Sequence, residues 1–144
     1  MTAEGRLANR HPDIVLITHC EEEVHGVVEI IKEQFDSFRC LIKTDRTLED
    51  INQLKPKVVL FALPSVKENI TLYTMMIKSN SLGQNHYSVI LCNNKESGLA
   101  FGCCLRNLFN SYFAYQPLYE PFRLKLIIYE GLTRCHAEQN SYDE

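Results

Sequence analysis

No apolar run in this chain approaches the ~20 residues needed to span a bilayer; the longest hold about six. The opening Met1-Thr2-Ala3-Glu4-Gly5-Arg6 lacks the apolar core of a secretory leader. Together these absences predict a cytoplasmic protein with no membrane partner. Basic residues are not in excess: 15 Lys and Arg stand against 18 Asp and Glu, for a net charge of −3. That excludes the basic face of a general nucleic-acid binder. The six cysteines (Cys20, Cys40, Cys92, Cys103, Cys104, Cys135) contain no C-x-x-C pair and no regular spacing. They are expected to be reduced thiols filling apolar sites. No glycine-rich phosphate loop follows the first apolar run, where Thr18-His19-Cys20-Glu21-Glu22 stands instead. Repeats and low-complexity stretches are also missing.

What is present is a chain of 144 residues, 45% apolar and 23% charged, the proportions of one globular domain with a substantial core. Its centre is Lys55-Pro56-Lys57-Val58-Val59-Leu60-Phe61-Ala62-Leu63-Pro64. Six apolar residues between two prolines, β-branched at the start, predict a strand over 57–63 buried on both faces. A similar run at Asp13–Thr18 predicts the first strand. Three acids, Glu21 to Glu23, then open a helix through about residue 35, where they suit the positive end of its dipole. Phe38–Lys43 reads as a strand and 47–54 as a helix, capped by Asp45 or Thr47. Beyond the central strand come a helix over 66–79 (Ile70, Tyr73 and Met76 or Ile77 inward), a polar loop and a strand at His86–Cys92. A helix over 95–109, a strand at Tyr112–Tyr115 and a last helix over 119–138 complete the pattern. Phe122, Leu126, Ile127 or Ile128, and Leu132 are its expected inner face. Residues 1–11 are expected to be a loose lead-in, 12–138 the domain, and 139–144 a tail or the start of a linker. Strands alternating with helices predict an α/β fold with a parallel sheet and right-handed crossovers.

Three segments carry a family resemblance. Leu54-Lys55-Pro56-Lys57-Val58-Val59-Leu60-Phe61 enters the third strand through a proline; Cys92-Asn93-Asn94 ends the fourth; Tyr112-Phe113-Ala114-Tyr115-Gln116-Pro117 forms the fifth. Over about residues 12–135 the chain resembles the receiver domain of two-component response regulators. The resemblance implies a doubly wound, five-stranded parallel sheet in the order 2-1-3-4-5, with helices on both faces, and suggests a cis bond before Pro117. Receivers are switched by phosphorylation of an aspartate after the third strand, and that position falls here on Ala62. The Mg²⁺-holding acids fall near Thr18 and His19, the Ser/Thr after the fourth strand on Cys92, and the lysine after the fifth on Gln116. Phe113 stands at the aromatic switch position. Ala62 has no nucleophile, Thr18 and His19 cannot replace two carboxylates around a hard cation, and Gln116 carries no charge. The resemblance is therefore to a pseudo-receiver, non-enzymatic and needing no cofactor.

Other residue groups are weighed against plainer roles. His19, Cys20, Glu21 and His25 include zinc-binding types, but without paired ligand spacing they read as a polar loop. The acids Glu21–Glu23 are dipole partners rather than a metal site. Cys103-Cys104 cannot form an unstrained disulfide in a helix. The fourth helix, fifth strand and fifth helix are rich in large apolar side chains: Phe101, Leu105, Phe109, Tyr115, Tyr119 and Phe122, with Tyr112 and Tyr129 beside them. By resemblance this face binds a protein partner or a second copy. The expected function is thus a phosphorylation-independent signalling module acting by protein contact or dimerisation, the N-terminal regulatory domain of a longer bacterial regulator. The alternative is a small-ligand sensor using the vacated pocket at Thr18, His19, Ala62, Cys92 and Gln116.

Overall fold

A computed structural model describes residues 11–118 and 120–143, with side chains as far as His136. Five strands alternate with five helices. β1 is Ile14–Thr18, β2 Phe38–Ile42, β3 Val58–Ala62, β4 Tyr87–Asn93 and β5 Ser111–Gln116. The helices are α1 (His25–Gln34), α2 (Thr47–Leu54), α3 (Val66–Lys78), α4 (Ser97–Leu105) and α5 (Pro121–Asp143), with single 3₁₀ turns at Glu21–Val24 and Asn94–Glu96 leading into α1 and α4. All strand pairs are parallel and the order is β2-β1-β3-β4-β5. This is the doubly wound, flavodoxin-like arrangement.

β1 and β3 lie in register from Ile14 opposite Val58 to Thr18 opposite Ala62, and every residue of both is buried. Neither strand carries a charge, so only a site covered on both faces accepts them. Side-chain alternation then splits the core in two. Ile14, Leu16, Val58, Leu60, Val89 and Leu91 pack under α1 and α5. Val15, Ile17, Val59, Phe61 and Ile90 pack under α2, α3 and α4.

Local chemistry sets the helix ends. Lys55, at φ 47°, closes α2 by donating its backbone N–H to Ile51, and Pro56 prevents continuation. Neither Asp45 nor Thr47 caps α2: Arg46 takes that position, and Thr47 Oγ1 instead accepts the N–H of Thr44 at 2.8 Å. Ser65 caps α3 through the N–H of Glu68. α4 stops at Leu105, short of the expected 109, because Asn107 turns left-handed (φ 62°) and the N–H of Leu108 closes on Cys103 at 2.9 Å. In α3 Met76 is buried and Ile77 exposed, with Ile70 half-buried. α5 differs most from expectation. Leu124, Ile127 and Ile128 face the core while Phe122 and Leu126 are exposed, and the helix continues to Asp143, through most of the expected tail. The lead-in at 1–10 lies outside the described residues.

Two glycines give a matched test. A Cβ at Gly131 on α5 would lie 2.6 Å from Cδ2 of Tyr87 and 3.0 Å from Val58, whereas one at Gly102 on α4 would meet nothing within 4 Å. Gly131→Ala is expected to destabilise by about 1–3 kcal/mol through overpacking. Gly102→Ala is expected to stabilise by about 0.5–1 kcal/mol, the usual helix-interior gain over glycine. Urea denaturation of both variants checks the pair.

Candidate functional site

The carboxyl ends of β1, β3, β4 and β5 bring Thr18, Ala62, Cys92 and Gln116 to one rim of the sheet. Three of these are closed off: Thr18 is 0%, Ala62 2% and Cys92 4% exposed. The Thr18 hydroxyl is occupied locally, donating to the Cys20 carbonyl at 3.2 Å and accepting the Cys20 N–H at 3.3 Å. Burial pushes the Cys92 thiol up to about 11, with Glu96 and Cys104 adding to the effect. It therefore stays protonated near neutrality and is a poor nucleophile. His19 and Gln116 are exposed at the rim's edge, and the Gln116–Pro117 bond is cis. Thr18, Ala62, Cys92 and Gln116 thus stand at the ends of neighbouring strands, with the first three closed to solvent.

The loops around that rim are fastened by side chains that periodicity does not reveal. Asn69 on α3 is fully buried; its Oδ1 accepts the N–H of Leu63 at 2.9 Å and its Nδ2 donates to the Leu91 carbonyl at 3.4 Å. Glu96 reaches back to accept the N–H of Val66 at 3.2 Å, and Asn93 accepts the N–H of Glu96 at 3.0 Å. The segments after β3 and β4 are therefore joined through α3. The sequence signal was a lone polar residue on the helix's inner face, where Asn69 falls one turn after Ser65.

A cleft of about 350 Å³ opens beside the rim, on the α3 side. His19 after β1, Lys43 after β2, Leu63 and Pro64 after β3, and Lys67 and Met75 from α3 line it. His19 is thereby separated from Glu21, Glu22 and His25, which border a different, shallow depression. Among the described residues, no three His, Cys, Asp or Glu side chains are grouped to hold a metal ion. All six cysteines are free thiols.

The aromatic-rich region divides sharply. Phe109 is in the core, stacked on Tyr73 at 4.8 Å and edge-on to Phe61 at 5.5 Å. Phe113 and Tyr115 are buried under α1 and α5. Burial raises the Tyr115 phenol above its ordinary value, with Glu23 and Cys92 contributing. Phe109 and Tyr115 are therefore removed from the expected contact face; Tyr119 lies outside the described residues. What remains outside is Leu105 (68% exposed), Phe101 (50%) and Phe122 (73%), joined by Leu99, Leu126 and Tyr129. Phe122, Leu126 and Tyr129 follow i, i+4, i+7 spacing, so they form a stripe opposite the buried Leu124, Ile128 and Cys135. The half-buried Tyr112 meets the Phe101 ring edge-on at 6.5 Å.

No protein-family model matches the chain, and no curated protein matches it in sequence. Two solved structures share its fold. One is described as an adenylate cyclase from Rhodopirellula baltica, 14% identical, with a TM-score of 0.69 over 94% of this chain and 96% of that one. The other is a CpaE2 pilus assembly protein from Sinorhizobium meliloti 1021, also 14% identical, with a TM-score of 0.53 over 85% of this chain and 98% of that one. At such identity the likeness establishes a receiver-like, flavodoxin-like fold. No described helix is long and apolar enough to cross a membrane.

Burial at this rim has a pH consequence. Below pH 9.0, the ordinary thiol value, Cys92 is protonated in both folded and unfolded chains; between there and about 11 only the unfolded chain releases the proton. Stability is thus fully present below the lower value and declines as pH rises towards the higher. Urea midpoints measured across this range are expected to fall, and to fall less steeply in Cys92→Ala. Tyr115→Ala is expected to lower stability by about 3 kcal/mol, the scale of a large core truncation, observable as an earlier thermal midpoint rather than as a contact defect.

Proposed function

We propose that the chain is a non-catalytic, phosphorylation-independent receiver-like signalling module that works by protein contact. The observation that carries this reading is α4. Its sequence, Ser97-Gly98-Leu99-Ala100-Phe101-Gly102-Cys103-Cys104-Leu105, has no charged residue, yet only Ala100 and Cys103 are buried. A helix that is apolar all round is normally covered all round. In this reading the covering on the outer side comes from another molecule. The stripe Phe122, Leu126 and Tyr129 extends the same character to α5, the helix after β5. Exposed apolar patches of this kind mark contact sites, and aromatic side chains are favoured as their anchors.

Phosphorylation independence is supported by the filled rim. Ala62, Thr18 and Cys92 offer no carboxylate and no opening, and the Asn69 and Glu96 bonds hold the neighbouring loops. A receiver needs a carboxylate nucleophile and a metal there. A signalling role follows the receiver resemblance, and the same fold serves in a protein named for pilus assembly.

Sedimentation velocity over a wide concentration range, with and without Mg²⁺ and beryllofluoride, tests this. Self-association unaffected by the phosphoryl mimic is expected, and the double variant Leu105→Asp, Phe122→Asp should weaken it by tenfold or more, as for anchor residues (~1.4 kcal/mol upward). A response to the mimic would overturn phosphorylation independence. Unchanged association in the double variant would overturn the contact face.

A further inference from the structure

The cleft beside α3 has the makings of a ligand site distinct from both the vacated rim and the α4–α5 surface. In a 2-1-3-4-5 sheet the chain reverses direction between β1 and β3, so the loops after these strands leave to opposite faces and a crevice opens at their carboxyl ends. His19 follows β1 and Leu63–Pro64 follow β3, so the cleft lies at that crevice and is displaced to the α3 side because Ala62 and Thr18 fill the rim itself. Its volume, about 350 Å³, is within the ~300–1,000 Å³ range of small-molecule pockets.

The lining has two chemical halves. Lys43 and Lys67 both line the cleft, one after β2 and one from the first turn of α3, and His19 follows β1, the strand between β2 and β3. Neither lysine takes part in any of the described ion pairs, which use Arg46, Lys57 and Lys125. Glu68 is the one acid at the cleft, and its Oε2 is engaged by the Ser65 hydroxyl at 3.1 Å. The same cleft is lined by Leu63, Pro64 and Met75. Met75 is 48% exposed, one of two large apolar side chains, with Ile77, that stand open on α3. Two cations outside the described ion pairs, in one cleft with apolar side chains, suit a ligand with a doubly charged head and an apolar body.

We propose that this cleft binds a small organic phosphate, the phosphate held by Lys43 and Lys67 with His19 beside it and the organic group laid on Leu63, Pro64 and Met75. Binding is reversible and involves no covalent step. A bidentate grip by charge-assisted hydrogen bonds orients the phosphate, while the apolar wall separates such a ligand from free phosphate.

Phenyl phosphate serves as the probe in a ¹H–¹⁵N correlation titration of the full chain, with inorganic phosphate and phenol as comparisons. Saturable shifts are expected at the amides of Lys43, Leu63, Lys67 and Thr71, with a Kd of about 1 mM or tighter. Inorganic phosphate and phenol should each bind about tenfold or more weakly. Lys43→Gln with Lys67→Gln, both exposed positions, should weaken phenyl phosphate binding by about tenfold or more while spectral dispersion is retained. No saturable shift, shifts unchanged in the double variant, or inorganic phosphate binding as tightly as phenyl phosphate would each overturn the proposal. Self-association through α4 and α5 is measured separately and is independent of the result.

Discussion

Burial of β3 on both faces is the constraint from which the rest of the structure follows. Val58 to Ala62 contains no polar side chain, and each residue is at most 2% exposed. Such a strand needs neighbours on both edges and helices above and below. β1 supplies one edge in a five-residue parallel register and β4 the other. Parallel neighbours cannot be joined by tight hairpins, so each connection crosses a face of the sheet as a helix. The two cores, under α1 with α5 and under α2 to α4, are consequences of the period-2 alternation of the same few strands.

That architecture delivers the carboxyl ends of four strands to one rim, where this fold places chemistry in other proteins. Here the rim holds a threonine, an alanine and a protonated thiol, all buried. The polar groups nearby are spent on backbone N–H and C=O groups: Asn69 on Leu63 and Leu91, Glu96 on Val66, Thr18 on Cys20. Bonds of this sort satisfy buried loop backbone, which is costly to leave unpaired. Polar side chains used in this way stabilise loops and are not available to a phosphoryl group. A cleft lined by Lys43 and Lys67 lies beside the rim, and exposed apolar side chains lie beyond it, on α4 and the outer stripe of α5.

Fold retention at 14% identity to two solved structures fits this division. The requirements on β1, β3 and β4 are generic: apolar, β-branched where possible, and of about the right size. Requirements on the rim are specific, and function resides in such sites rather than in the sheet that carries them.

Much of this was legible in the residues alone. The five strands stand within a residue or two of where they are expected; for β1, β3 and β4 this is because continuous apolar runs are stable only inside. Strand order and the missing acids were legible through the receiver resemblance. Helix orientation was not. α5 has apolar residues on both sides, so periodicity allowed Phe122 and Leu126 inside; docking against β3 and β4 turned Leu124, Ile127 and Ile128 inward instead, with Gly131 against Tyr87 permitting the close approach. The end of α4 decided which phenylalanine is core: the left-handed turn at Asn107 releases Phe109 to stack on Tyr73 and leaves Phe101 outside. The cleft, too, joins residues from four separate segments. The sequence by itself determined the sheet and the residue types at its strand ends, since both depend on residue types at local positions. Only the tertiary structure decided which aromatics face solvent and which residues share a cleft, since both depend on contacts between segments distant in the chain.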